Sequence, residues 1–441
     1  MDEQTTADGT AASSIDSTNA NGFSPTSLDP TAGVNGFSQM IDPTFAMSMP
    51  MDLTQQALLG GPDSHSISAD EIALYDRQIR LWGVQAQEKI RQANVLLIGM
   101  RALGNEIAKN LVLAGVGTLT ILDPEVVTED DLGSQFFISE ASIGQNRAEA
   151  AQPEAQKLNP RVRLFSDAHP IFSKLPEYFQ PFDITIATGL PLDLLSSINM
   201  SCRMYGRKFY AADVHGLYGY IFADLVIHDF VVERERGNRV SKPGDVETPT
   251  RSVISVSTKT DDNKVMEIVT KQEIYSPLLL ANSSPLPADA SKSRRTRLRV
   301  TPLLSCLRAL FDFQRETGGR LPGHNRPDLE LFTRLANEKH LELQLPIETL
   351  RADFLRSFLQ NLGSEISPAA AFLGGHLAQD VINVLGQREQ PLQNFLLFDG
   401  EEFVGPVYSL HPIFDDGFTT INTNGMPGAP VVDGSMATAA A

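Results

Sequence analysis

Cysteine is nearly absent: the 441 residues hold two, Cys202 and Cys306, and no CxxC pair. That scarcity excludes a disulfide framework and a cysteine-rich zinc site, and it fits a reducing compartment. None of the eight histidines falls at a metal-ligand spacing such as HExxH, so no metal site is expected. No apolar run reaches membrane-spanning length, and the N-terminus has no basic region followed by an apolar core. Neither a spanning helix, a membrane partner nor a signal peptide is therefore expected. Lys and Arg are missing from the first 76 residues, which carry eleven of the 54 acids, so the remainder accounts for only −7 of the net −18. A body so mildly acidic lacks the basic face that a nucleic-acid binder needs.

What is present describes a soluble globular chain: 42% hydrophobic and 20% charged, and long enough for two or three domains. Residues 1–66 are rich in Ser, Thr, Asn, Gly, Asp and Pro and read as a disordered tail, as do residues 413–441. Order is expected to begin at Ser68-Ala-Asp-Glu71, a capping-box spacing, with Ile72, Tyr75, Ile79 and Trp82 following at helical intervals until Gly83.

The most informative stretch follows. Asn94 to Gly99 reads as a buried strand, Leu103 to Ala114 as an amphipathic helix, and Thr118 to Asp123 as a second strand ending on an acid. This is the layout of a dinucleotide or ATP site, with a glycine turn, a helix N-terminus facing phosphate and an acid for a ribose. Yet the loop reads Gly99-Met-Arg-Ala-Leu-Gly104, with Arg101 where the middle glycine of G-x-G-x-x-G belongs. A side chain there obstructs the approach of backbone amides to a pyrophosphate. The site Gly99, Arg101, Gly104 and Asp123 is therefore read as degenerate. Asp123 is either the ribose acid or a strand-end acid opening a turn at Pro124, and Gly104 serves close helix–strand packing with or without a ligand.

Further strands are expected at 162–165, 183–187 and 208–212, with helices at 146–158 and 192–205. Strands alternating with helices indicate a doubly wound parallel sheet, a Rossmann-like α/β fold. The first part of this domain spans 67–225, and Tyr218 to Ile227 is expected to continue as antiparallel β structure. A small β insert with charged loops covers 226–300, with 234–265 read as turn-rich. A helical segment covers 301–365, and a helix at 367–385 with a strand at 394–399 returns to the first sheet within 366–412.

Other candidates carry two readings each. Arg77 and Arg80 lie three apart beside Tyr75 and Trp82, as a solvated helix face or as a guanidinium aimed at a polyphosphate. Cys202 and Cys306 sit in apolar helical runs without a neighbouring base and read as packing. His376 follows Gly374-Gly375, a small-residue pair that permits close helix packing. The run Lys292 to Arg299 is a nuclear import signal or a solvated loop.

Taken together, Y-D-R-Q-I-R-L-W-G at 75–83, V-L-L-I-G-M-R-A-L-G-N-E at 95–106, Q-F-F-I at 135–138, G-Q-N-R-A-E-A at 144–150, D-V-H-G-L-Y-G-Y at 213–220 and N-F-L-L-F-D-G at 394–400 resemble the ubiquitin-like-modifier activating enzymes, built on the ThiF/MoeB adenylation fold. The likeness runs in order over about three-quarters of the chain and is greatest to the smaller, non-thioester subunits that serve SUMO activation. It implies a nuclear heterodimer, with the cytoplasm as a second location. The larger catalytic subunit would hold ATP, Mg, the catalytic cysteine and the modifier SUMO, and this chain would bind no cofactor itself. Active members carry a loop glycine, an Asn-Arg pair, a Lys and an Asp at positions that look here like Arg101, Gly133-Ser134, Arg147 and Gly189-Leu190-Pro191. The resemblance also carries the arginine of Y-D-R-Q onto Arg77, acting in trans on the partner's ATP site. A regulatory subunit for another modifier, a self-sufficient homodimeric adenylating enzyme and a nicotinamide-dependent dehydrogenase are the alternatives.

Overall fold

A strand buried on both faces must be apolar wherever it is buried, and in Asn94–Ile98 (NVLLI) the four buried positions after Asn94 meet that demand. In the computed structural model, which describes residues 69–237, 240–261 and 264–412, this strand lies inside an eight-stranded sheet. The expected tails and the capping serine at 68 fall outside the described residues. Three short helices come first, α1 (Ala69–Leu74), α2 (Asp76–Trp82) and α3 (Val84–Gln92). The single helix expected up to Gly83 is thus divided at Tyr75, although the Ile79 amide still bonds the Tyr75 carbonyl at 2.8 Å.

The doubly wound core follows: β1 (Asn94–Ile98), α4 (Ala102–Ala114), β2 (Thr118–Leu122), α5 (Arg147–Leu158), β3 (Arg163–Asp167), β4 (Ile184–Thr188), α6 (Leu192–Met204), β5 (Lys208–His215) and β6 (Tyr218–Asp224). Strand order is β12-β11-β6-β5-β4-β1-β2-β3. The expected parallel sheet is β3-β2-β1-β4-β5, and the antiparallel course expected from Tyr218 is found in β6; β11 and β12 also pair antiparallel. The reason is local. A tight turn at Gly216 (φ +59) sends β6 straight back along β5, with no room for a crossover helix. The order 3-2-1-4-5 puts a topological switch point between β1 and β4, and a ligand crevice opens at their carboxyl ends.

Alternation along the strands builds one core on each face. Leu96 and Ile98 join Leu195, Ile198, Leu307 and Phe311 on one side, while Val95 and Leu97 join Leu111, Leu377 and Val381 on the other.

After β6 the chain forms a separate four-stranded antiparallel sheet, β7 (Ile227–Glu235), β8 (Val246–Thr248), β9 (Arg251–Asp261) and β10 (Lys264–Ile274), in the order β7-β10-β9-β8. The turn-rich reading of 234–265 is corrected here, because β9 occupies most of its second half. Its solvated face is polar and its inward positions are few, so composition masked a strand held by backbone pairing with β10. Short helices α7 (Leu278–Ser283), α8 (Ala288–Ser291) and α9 (Arg294–Arg297) lead to α10 (Leu303–Glu316), α11 (Arg326–Glu342) and α12 (Ala352–Asn361). The chain then returns through α13 (Ser367–Gly386) to β11 (Phe395–Asp399), which pairs with β6, and to β12 (Val407–Tyr408) at the edge.

Helix α13 packs face to face on α4, and Gly374 is the point of closest approach. A Cβ there would stand 2.5 Å from the Glu106 Cβ and 3.3 Å from the Ile107 amide, whereas one on Gly375 meets nothing within 4 Å. Gly374→Ala should therefore lower Tm by about 2–4 °C through overpacking. Gly375→Ala should hold or raise it, since alanine favours helix by roughly 1 kcal/mol. Thermal unfolding of the two variants checks the pair, and equal behaviour would remove the close-packing account.

Candidate functional site

The crevice between β1 and β4 is where the degenerate loop sits. Gly99 closes β1 with φ +88, and a Cβ on it would come within 2.5 Å of the Thr188 Oγ1 and 2.9 Å of the Thr188 carbonyl. A Cβ on Gly104 would fall 2.1 Å from the Gly99 carbonyl oxygen. Strand-to-helix packing alone demands both glycines. Met100 is buried, and Arg101, half exposed, caps α4 in extended conformation without a side-chain hydrogen bond of its own to the helix.

Asp123, at the end of β2, is 2% exposed and points back at the loop. Its Oδ2 accepts the Met100 amide at 2.7 Å and its Oδ1 accepts the Glu125 amide at 2.9 Å. The face left over is taken by Arg147, the first residue of α5, whose Nη1 lies 3.0 Å from Oδ2. The other guanidinium nitrogen, Nη2, reaches Asp131 at 3.3 Å and the Val126 carbonyl at 3.3 Å. All three charged side chains are almost wholly buried. Burial works against ionising Asp131, yet the Thr128 amide and Arg147 hold its carboxyl below the ordinary range. The Asn146 side chain accepts the Glu149 amide and so starts α5 where Arg147 can turn inward.

A second acid comes from the far end of the sequence. Glu365, just before α13, places Oε2 3.2 Å from the Ala102 amide, in the first turn of α4, and 3.4 Å from the Ser134 hydroxyl. Its Oε1 lies 3.2 Å from the Arg101 Nε. Burial pushes this carboxyl above its ordinary pKa, with Asp213 and Asp131 adding to the rise and Arg101 and the Ala102 amide opposing it. Asp213, in β5, also nears Gly189, where a Cβ would lie 3.9 Å from its Oδ1. The structure thus brings Gly99, Arg101, Gly104 and Asp123 together and adds Glu365, Asp131 and Asp213. Nothing in the local sequence marks Glu365, which lies over 260 positions from the loop.

Arg77 does not join them. Tyr75 is buried, its hydroxyl accepting the Asn159 side-chain amide at 2.7 Å, and Gln78 donates to the Leu113 carbonyl at 3.2 Å. The Gln78 bond fastens α2 to the C-terminal end of α4 directly, and Asn159, which follows α5, links Tyr75 to it by also donating to the Val112 carbonyl at 3.0 Å; thirteen helical residues put the loop ~20 Å away. Arg80 pairs with Asp76 at 2.8 Å, whereas Arg77 is exposed and makes no hydrogen bond or ion pair among the described residues. Trp82 is half-buried, with its indole N–H donating to Gln87 at 2.8 Å.

Cys202 and Cys306 are fully buried, and burial pushes the Cys202 thiol up to about 12 and that of Cys306 higher still. A thiol so held is no nucleophile at neutral pH. His376 packs on Phe372, with ring centroids 4.5 Å apart. Among the described residues no group of His, Cys, Asp and Glu is arranged to hold a metal ion, and no helix is long and apolar enough to cross a membrane.

Residues 75–411 match the ThiF family. The chain is 38% identical over 347 residues to the DNA damage tolerance protein RHC31 of Saccharomyces cerevisiae, covering 78% of this chain and 97% of that protein. It is 38% identical over 350 residues to SUMO-activating enzyme subunit 1 of Rattus norvegicus, covering 78% and 96%. It is 37% identical over 348 residues to SUMO-activating enzyme subunit 1 of Homo sapiens, covering 78% and 97%.

Removing the guanidinium would leave two buried carboxylates facing each other. Arg147→Ala should therefore cost about 3–5 kcal/mol at neutral pH. The sign with pH follows from Asp131. Its lowered folded pKa contributes stability present above the ordinary carboxylate value of about 4 and lost as pH falls below it. In the variant, protonation instead relieves the repulsion, so its deficit against wild type should shrink as pH drops from 7 towards 4. Urea unfolding across that range checks this, and a constant deficit would contradict it.

Proposed function

The chain belongs to the ThiF family, and on that premise we propose that it is the smaller, regulatory subunit of a heterodimeric SUMO-activating enzyme. In this reading the larger subunit carries ATP, Mg, the catalytic cysteine and the modifier, and this chain supports adenylation of the modifier's C-terminus without a nucleotide site of its own. The observation that carries the reading is a division within one fold. The crevice that would hold a nucleotide is occupied by Arg147 and Glu365, while Arg77, without an ion pair among the described residues, is held ~20 Å from it at the far end of α4.

The residues in the crevice do not fit a nucleotide. The Met100 amide is committed to Asp123 and the Ala102 amide to Glu365, and these are donors that a phosphate would use. The ribose acid is neutralised by a buried arginine. No step of the reaction is therefore assigned to this crevice, and neither buried cysteine takes part in thioester transfer.

Arg77 serves the partner. Adenylation joins a carboxylate to the α-phosphate of ATP and expels pyrophosphate, so negative charge grows on the leaving phosphates. A planar guanidinium binds such oxygens in pairs and is always charged. Tyr75 and Gln78 fix the helix that carries it, so little reorganisation is required when the charge appears. An arginine supplied across a subunit boundary is a recurrent solution in phosphate chemistry.

Arg77→Ala should leave the heterodimer assembled and lower ATP–pyrophosphate exchange by about 10²–10³-fold. Exchange at the wild-type rate in an intact heterodimer would end the in-trans assignment. Residence in the nucleus, with the cytoplasm as a second location, is proposed on the run from Lys292 to Arg299, of which Lys292, Arg294, Arg295 and Arg299 are exposed. Replacing those four by alanine should abolish nuclear accumulation of a fluorescent fusion, and unchanged accumulation would assign the run to a solvated loop.

A further inference from the structure

We propose that Glu365 is a built-in anion: its carboxylate takes the place of a phosphate in the Gly99–Gly104 cradle and ties residues 361–366 across the mouth of the parallel sheet. This autoinhibitory contact rests on the reading that the chain has no nucleotide site of its own, and it supplies the physical cause.

Four observations converge. First, α4 is thirteen residues long and its own cap, Arg101, gives no side-chain hydrogen bond, yet the Ala102 amide has an acceptor in Glu365. Second, the contacts of Glu365 are a guanidinium, a helix N-terminal amide and a hydroxyl, the donor set that a phosphate oxygen selects. Third, the largely buried carboxylate is held against its own desolvation and beside Asp213 and Asp131, which disfavour its charge. The counter-charge is Arg101, the very residue that replaces the middle glycine. Arg101 therefore does more than obstruct a ligand, because it holds the substitute in place. Fourth, the segment carrying Glu365 is pinned independently. The Gly216 amide donates to the Ser364 carbonyl at 2.7 Å, the Leu217 amide to the Asn361 side chain at 3.1 Å, and the Gly363 amide to the His215 Nδ1 at 3.4 Å.

A cradle emptied of its internal anion should accept an external one. In the full chain, Glu365→Ala should gain about 2 °C or more in Tm in inorganic phosphate over chloride at equal ionic strength, by mass action on the vacated site. Wild type should show no such gain, and Glu365→Ala/Arg101→Ala should lose it, since the responding cation is then gone. A folded Glu365→Ala protein indifferent to phosphate, or a wild type that responds equally, overturns the proposal. Should Glu365→Ala be insoluble, the yield of soluble protein in phosphate against chloride becomes the readout, and equal yields count against it. Calorimetry of the wild-type chain with ATP separates the two levels. Binding there defeats the reading of an absent nucleotide site, whereas no binding together with a silent Glu365→Ala defeats only the internal anion.

Discussion

A guanidinium buried to 5% exposure is tolerable only when carboxylates meet it from more than one side, and Arg147 has Asp123 on one and Asp131 on the other. This contact joins three parts of the fold at once. Asp123 ends β2 and caps the Met100 amide of the degenerate loop; Asp131 organises the irregular stretch after β2; Arg147 opens α5. With the triad formed, the first β-α-β unit is tied together by its own charges.

Glu365 extends the same logic to the amide that Asp123 does not reach. Between them the two acids satisfy the Met100 and Ala102 amides, which buried or half-buried backbone otherwise leaves at a cost. The opposite end of α4 has a different task. There Tyr75, Gln78 and Gln87 tie the N-terminal helices to the helix terminus, the last through a bond to the Ala114 carbonyl at 3.0 Å. One helix thus separates the crevice from an exposed arginine, with side-chain hydrogen bonds at both of its ends.

Much of this architecture was legible in the residues themselves. Apolar runs such as Asn94–Ile98 and Ile184–Thr188 announce buried strands, and Gly99 and Gly104 announce a tight turn packed beneath a helix. The return of α13 and β11 to the first sheet was also legible, because a strongly apolar helix and strand must find a face to cover. The antiparallel course of the strand from Tyr218 was legible too, and three of the seven strand pairings in the first sheet are antiparallel. One feature was not. β9 carries too few inward apolar residues to stand out from a charged loop, and its pairing partner, rather than its own composition, decides it.

The candidate site divides in the same way. The missing glycine at Arg101, the lack of an acid within Gly189-Leu190-Pro191 and the arginine at 77 are properties of single positions, readable wherever the chain happens to fold. What fills the crevice is not. That Arg147 neutralises Asp123, or that Glu365 enters the first turn of α4, requires residues 24 and 263 positions apart to meet. Sequence by itself therefore determined the fold class, its family and the damage to the phosphate loop, because these rest on local periodicity and on the steric identity of individual residues. Only tertiary structure decided that Asp123 meets Arg147 and that Glu365 meets the Ala102 amide, because a charge finds its counter-charge through space and not along the chain.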